Sequence, residues 1–537
     1  MGQGALRADR RRWLAGAATL PLWPLAACSR SAAPPFDGGW VGAAHERGHR
    51  LREAKSGSPP APAVQRRAGV IIVGAGIAGL MCARALARGG VDDVQLFDLE
   101  DGAGGNSRGH TMGGMRCPLG AHYLPLPGDA AVEVAELLEE LGLRRIESGK
   151  PVYDERHLCH SPQERVFVGG HWHEGLLPPV GALPAGQRAA TLVQLRRFAD
   201  RVAESAAGGA FAIPTARAAW RPELDALDAV SFAQWLEARG FDAPALRWYL
   251  DYCCRDDYGA GPAEVSAWAG LHYFASRHGF DAPGSEADDR GAVLTWPEGN
   301  AWLSRRIAAP LGERVHTRFV ALRVAEGRHG VDVDFWNVAA QRSERWSAPR
   351  VVLATPVFIA ARLLESPPAA LGAAAAQMRY ASWLVANLQL KQALDDRPGA
   401  PPSWDNVIFG GASLGYVDAM HQSTRPHPGP TVLGSYWSWG AQPAHRGALM
   451  NQPWAVWAER VVQELSIAHP DLRDKVSRID LMRYGHAMSI PVPGARRSEA
   501  LRALAAQRGR VVFAHSDLSA YSIFEEAAYH GVRAARG

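Results

Sequence analysis

Val70-Ile71-Ile72-Val73-Gly74-Ala75-Gly76-Ile77-Ala78-Gly79 is the stretch on which the fold turns. Its first four residues form a continuous β-branched run, which predicts a strand buried on both faces. Glycines follow at 74, 76 and 79, and Leu80 to Arg88 then reads as a helix ending at Gly89-Gly90. Val94-Gln95-Leu96-Phe97 predicts a second strand, closed by Asp98.

Each part of this strand–turn–helix–strand unit has a physical task. Gly74 permits a tight turn, Gly76 lets backbone approach a pyrophosphate, and Gly79 lets the helix lie close on the strand. Between them Ala75, Ile77 and Ala78 carry backbone N–H groups at a helix N-terminus, whose partial positive charge suits a phosphate. Asp98 can accept hydrogen bonds from the hydroxyls of an adenosine ribose, whereas a 2′-phosphate there would be repelled. The unit is a dinucleotide-binding fingerprint, and NAD and FAD share it.

The residues that follow decide between them. Asp101-Gly102-Ala103-Gly104-Gly105-Asn106-Ser107 comes directly after the acidic residue. Here the sequence resembles the flavin-containing amine oxidase superfamily, which also includes phytoene-desaturase-like and protoporphyrinogen-oxidase-like enzymes. The resemblance implies that Gly104 and Gly105 pass the phosphates and ribityl of FAD. It also sets Asn106 where the family often has arginine, a departure that removes a charge. Farther along, Val315-His316-Thr317-Arg318-Phe319-Val320 resembles the strand that meets the adenine, with Val320 at the contact position. Val351 to Pro356 resembles a return strand ending in an Ala-Thr-Pro-like turn. Val511 to Asp517 resembles the closing motif, which places Asp517 opposite the ribityl chain. Glu525-Glu526-Ala527 to Ala535 matches the last helix, with Glu525 at its acidic position. The implied cofactor is FAD. The implied fold is α/β: a Rossmann-type FAD-binding domain assembled from residues 68–125, 291–365 and 480–537, with an α+β substrate domain inserted as residues 126–290 and 366–479.

The ends and the composition add a second layer. Of 537 residues, 47% are hydrophobic and 21% charged, and the 58 basic and 54 acidic residues nearly balance. No Lys/Arg run lies in the body of the chain, so nucleic-acid binding has no electrostatic footprint. The first 28 residues differ from the rest. Arg10-Arg11-Arg12-Trp13-Leu14 precedes a short apolar stretch broken by Pro21 and Pro24, too short to span a bilayer. This pattern resembles a twin-arginine (Tat) export signal. Leu25-Ala26-Ala27-Cys28 resembles a bacterial lipobox, in which Cys28 would carry lipid. The expected protein is therefore exported by the Tat machinery, periplasmic, and held at the membrane by a lipid anchor. Residues 29–67, rich in Pro, Ala, Gly and Arg, read as a linker, with Phe36 and Trp40 available to pack on the body. The cysteines other than Cys28 show no metal-like spacing, so neither a metal site nor a disulfide framework is expected.

Because a flavin itself accepts hydride, the protein's part is to orient substrate and exclude water, and no triad is compulsory. Candidate side chains come from segments that run toward the flavin by resemblance. These are His110, His122 in Gly120-Ala121-His122-Tyr123, Trp437 and Trp439 at the end of an apolar strand, and His486 before the final strand. His122, Trp437 and His486 are the catalytic candidates. Two features depart from the monoamine type: Ile523 stands where an aromatic residue precedes the last helix, and none of the four lysines lies in a matching motif. The leading expectation is an exported FAD-dependent oxidoreductase that takes hydride from a small organic substrate, amine-oxidase-like. The alternatives are a desaturase or isomerase of an apolar molecule near the membrane, and a non-catalytic flavin-binding lipoprotein. Helices are expected over Asp129 to Leu143, 187–210 and 231–255, and a half-buried strand over Trp383 to Lys391.

Overall fold

Val70–Val73 forms the centre of a five-stranded parallel sheet, with every residue buried. Its order is Val315–His316, Val94–Phe97, Val70–Val73, Arg350–Leu353, Val511–Phe513. Strands from three distant stretches thus close one sheet, as the discontinuous α/β reading requires. The computed structural model describes residues 36–56, 61–283 and 291–537. The leader expected at 1–28, Cys28 included, and linker residues 29–35 lie outside the described residues.

Helix Ile77–Arg88 follows the first strand, and the last helix, Phe524–Ala535, packs on it. Two glycines allow close approach here, Gly79 to the preceding turn and Gly531 to helix Ile77–Arg88. A Cβ on Gly79 would sit 1.9 Å from the Gly74 carbonyl oxygen, and one on Gly531 would sit 2.3 Å from that of Ala78. Gly79 lets the helix lie on the turn that follows the strand, rather than on the strand itself. On the other side of the sheet, Phe319–Glu326, Val331–Asn337 and Arg342–Ala348 form an antiparallel meander. Phe97, stacked on Phe335 at 4.2 Å, joins the two layers.

The second body is an eight-stranded sheet. Its order is Asp37–Trp40, Val476–Ser489, Tyr380–Leu390, Thr431–Ser438, Tyr416–Asp418, Asp405–Ile408, Glu164–Val168, His171–Glu174. Side chains alternate across it. Val385, Tyr436 and Met482 face a helical layer that includes Ala185–Ala206, Phe232–Ala238, Pro244–Tyr258 and Ala267–Tyr273. Leu384, Ala386 and Trp437 face helix Trp454–Leu465 on the opposite side. The predicted helix over 231–255 divides at 239–243, where Gly240 takes a positive φ of 64°.

Two boundaries differ from expectation. Part of the expected linker is built into the body: Asp37–Trp40 pairs in parallel with Arg478 to Leu481, and Val64–Arg67 extends the meander. Hydrophobic anchoring explains the difference, since Phe36 is buried against Trp454 and the Arg483 guanidinium lies over Trp40. The boundary expected at 480 falls inside strand Val476–Ser489, most of which pairs with Tyr380–Leu390 in the larger sheet. No helix among the described residues is long and apolar enough to cross a membrane.

Candidate active site

The glycine turn builds a cradle. Gly74 adopts φ +103°, and a Cβ there would meet the Ala354 carbonyl oxygen at 2.5 Å. Gly104, at φ +126°, donates its N–H to the Ala75 carbonyl oxygen at 2.8 Å, which lays the second glycine pair against the first. Gly76 caps helix Ile77–Arg88 without a side-chain acceptor, so first-turn N–H groups lack intrahelical partners. Its own Cβ position has only the Gly105 Cα within 4 Å, at 3.8 Å. Packing alone therefore does not require glycine at 76; the absent side chain leaves room for something in the cavity. Together with the helix N-terminus this fits a pyrophosphate.

Asp98 stands at the end of the cradle. Its carboxylate accepts from the Ala75 N–H at 2.8 Å and the Glu100 N–H at 2.9 Å, and burial raises its pKa. A carboxylate has about four acceptor positions, so both oxygens keep capacity for ribose hydroxyls. Asn106 turns its amide to the Ala487 carbonyl, 2.7 Å away, tying the glycine loop to strand Val476–Ser489. Asp517 is buried and accepts from the Val357 N–H at 2.9 Å and the Tyr380 hydroxyl at 2.6 Å. Burial opposes its charge, but His515 and these donors outweigh that and hold its pKa below the ordinary value.

One elongated cavity connects these groups. Gly74, Gly76, Ile77, Ala78, Asp98, Gly104, Gly105, Asn106, Asp517 and Glu525 all line it. Ala75 is fully buried beneath the turn and contributes its N–H to Asp98, while Gly79 serves the helix contact. Val320 is buried in strand Phe319–Glu326 and its side chain does not line the cavity, so the adenine contact expected there is one for its backbone. Strand alternation turns its side chain inward, away from the groove edge. The set as a whole fits FAD, with cradle, helix N-terminus, Asp98 and Asp517 along one channel.

Of the catalytic candidates, His122 and His486 line this cavity. Burial lowers the His122 pKa to about 3, and its ring stacks on Tyr436 at 4.3 Å. His486 is lowered to about 4, first by burial and then by Arg446, whose guanidinium donates to His486 Nε2 at 2.6 Å. Both rings are neutral near pH 7. Trp437 does not line the cavity. It faces the opposite side of the sheet, against Trp439 at 6.0 Å, and its neighbour Tyr436 takes the place by the cavity. Trp439 packs on Trp457, and His110 pairs with Asp480 at 2.9 Å.

The sequence did not point to a buried ion network beside Glu525. Arg277 sits on the π-helical turn Phe274–His278, a geometry concentrated at functional sites. It donates to Glu525 Oε1 and to the Tyr521 hydroxyl, each at 3.3 Å, and Tyr521 donates to Asp257. Arg277 has no local sequence signal, because its partners Glu525 and Tyr521 lie 248 and 244 residues away in the chain. His122, Tyr123, Asp256 and Tyr436 form a throat shared with a second, inner chamber.

Comparison with known proteins follows the same lines. The family model of the flavin containing amine oxidoreductases matches residues 77–537. An L-amino acid dehydrogenase from Synechocystis sp. (strain ATCC 27184 / PCC 6803 / Kazusa) is 25% identical over 301 residues, 56% of this chain and 58% of the relative. A putrescine oxidase from Kocuria rosea is 29% identical over 183 residues, 33% of this chain and 32% of the relative. The chain thus spans less than two thirds of either relative. Among solved structures, cyclohexylamine oxidase from Brevibacterium oxydans IH-35A superposes with a TM-score of 0.63 at 19% identity, covering 87% of this chain and 98% of that one. This likeness speaks to the fold.

Proposed function

We propose, from the premise that the chain belongs to the flavin containing amine oxidoreductase family and is an FAD-dependent oxidoreductase, that its substrate is a small amine. The observation that carries this reading is the throat. A channel lined by the dinucleotide cradle ends at His122, Tyr123 and Tyr436, where π faces meet the carboxylate of Asp256. Aromatic faces and a carboxylate attract a cation, so an ammonium would be captured there. When bound, FAD supplies a two-electron acceptor: the C–H bond next to nitrogen breaks with its electron pair leaving, and the resulting imine is hydrolysed to a carbonyl compound and ammonia or a shorter amine.

The chain's own residues perform the rest. His122 and Tyr436 form a stacked wall that orients the substrate and excludes water. His122 carries no charge near neutrality, so it acts by shape. Burial raises the Asp256 pKa to about 7, with Asp257 adding to the effect, and Asp256 accepts a hydrogen bond from the Tyr123 hydroxyl at 3.1 Å. A carboxyl group titrating near neutrality beside the throat is suited to hold the proton that an ammonium loses before oxidation. The Asp256 carboxylate at the throat favours an amine over the apolar substrate of a desaturase or isomerase.

The test is anaerobic. The FAD-loaded protein from residue 36 onward is mixed with primary amines while its visible absorbance is recorded. Bleaching of the flavin bands by an amine is expected. Bands that stay unchanged with every amine would sink the reading and favour a binding role.

The same proposal includes location. The enzyme works outside the cytoplasm, carried folded by the Tat machinery and anchored through Cys28. The support is Arg10-Arg11-Arg12 ahead of a short apolar stretch and the Leu25-Ala26-Ala27-Cys28 motif. In a Gram-negative host, radiolabelled palmitate is expected to enter the wild-type protein and not the Cys28→Ser variant. Equal labelling, or none in either, would remove the anchor.

A further inference from the structure

Beyond the throat, the inner chamber is lined by carboxylates and aromatic rings. Glu164 opens strand Glu164–Val168 and Asp405 opens strand Asp405–Ile408; the strands are parallel neighbours, and Glu164 and Asp405 are register partners. Both line the chamber, as does Asp256 at its throat. Like charges side by side on a sheet repel, and burying them costs more unless a counter-charge is supplied.

The described residues do not supply one. No lysine or arginine is among the described residues lining the chamber. Arg165, next in the chain, faces the opposite side of the sheet, where it donates to Asn406 Oδ1 at 2.5 Å and lies over Trp172. Arg277 is engaged with Glu525 and Tyr521. The Glu164 carboxylate has no hydrogen-bond or ion-pair partner among the described residues, although the residue is half-buried. Asp405 has a long contact from the Tyr252 hydroxyl, at 3.4 Å. Burial holds both carboxyls above their ordinary range, Glu164 at about 7, and for Asp405 the nearby Glu164 adds to it. The walls between the carboxylates include Tyr249, Tyr252 and Trp404, whose ring faces favour a cation.

We propose that the inner chamber receives a second ammonium group, held by Glu164 and Asp405, so that the substrate is an α,ω-diamine or a polyamine with one nitrogen at the throat and another in the chamber. This rests on the amine-oxidising reading of the throat. The same lining repels a carboxylate, so amino acids whose acid group would enter the chamber are excluded on charge.

Three probes of matched length test it on the FAD-loaded protein: butane-1,4-diamine, butylamine and 4-aminobutanoate. Anaerobic flavin reduction gives rates, and calorimetry gives binding. The diamine is expected to be preferred over butylamine, and 4-aminobutanoate to be the poorest. A hydrogen bond to a charged group contributes roughly 1.5–3 kcal/mol, so Glu164→Gln and Asp405→Asn should each lower the diamine-to-butylamine preference about 10–100-fold. Both substitutions preserve side-chain size, and binding of butane-1,4-diamine should weaken in parallel.

The outcomes separate the two readings. Equal use of diamine and butylamine, or a preference unchanged in both variants, overturns the chamber proposal and leaves amine oxidation standing. Diamine binding that needs Glu164 without flavin bleaching by any amine supports the chamber and overturns the oxidation. Absence of both binding and bleaching overturns both.

Discussion

Gly76→Val is expected to give a folded protein that retains almost no flavin. The backbone at 76 is extended, with φ −69° and ψ −179°, which valine adopts readily. A Cβ there meets only the Gly105 Cα at 3.8 Å, an ordinary contact that the protein accommodates without a backbone shift. The added methyl groups fill the cradle where backbone N–H groups at the start of helix Ile77–Arg88 would meet a pyrophosphate. Charge-assisted hydrogen bonds contribute roughly 1.5–3 kcal/mol each, and losing two of them weakens FAD binding by more than about a hundredfold. The variant should be purified colourless with an unaltered far-ultraviolet circular dichroism spectrum. A yellow variant with wild-type flavin content would refute the placement of the cofactor. Position 79 offers no such test, because a Cβ 1.9 Å from the Gly74 carbonyl disturbs the helix contact itself.

Glu164→Gln is expected to stabilise the substrate-free protein at pH 8 and to leave it nearly unchanged at pH 5. The sign follows from linkage. Burial raises the folded-state pKa of Glu164 from its ordinary 4.5 to about 7. The folded state therefore binds the proton more tightly than the unfolded chain does. The contribution to stability is whole below pH 4.5, declines as pH rises through 7, and is a net penalty once the group is charged. At 1.36 kcal/mol per pH unit, the penalty above pH 7 is roughly 3 kcal/mol. Glutamine keeps the shape and never ionises. The apparent Tm should rise by a few degrees at pH 8, with little change at pH 5. Saturating butane-1,4-diamine should narrow the gap at pH 8 by stabilising the wild type more. A lower Tm at pH 8 in the variant would mean that Glu164 has a partner that compensates its charge. A binding site that costs stability until its ligand arrives is a familiar trade between function and fold.

These two residues also mark what could be read at each level. The glycine turn, its flanking strands and Asp98 are contiguous, and a strand–GxGxxG–helix unit has one physical use, so sequence alone determined the dinucleotide-binding α/β class. The order of the later segments extended that to FAD, and the family match and the cavity lining agree with it. His122 and His486 were legible because they stand beside those segments.

Tertiary structure decided the rest. Trp437 and Tyr436 are adjacent in sequence, and only the sheet's packing on both faces assigns one to the cavity and the other to the core. The anchoring of Asp37–Trp40 and Val64–Arg67 depended on strand partners at 476–489 and 342–348, far away in the chain. Arg277 draws its partners, Glu525 and Tyr521, from the far end of the chain. Glu164 and Asp405 are unremarkable in their own segments. They become a shared site because parallel pairing sets them side by side, and pairing register is fixed by the burial of whole strands rather than by any residue near the charge.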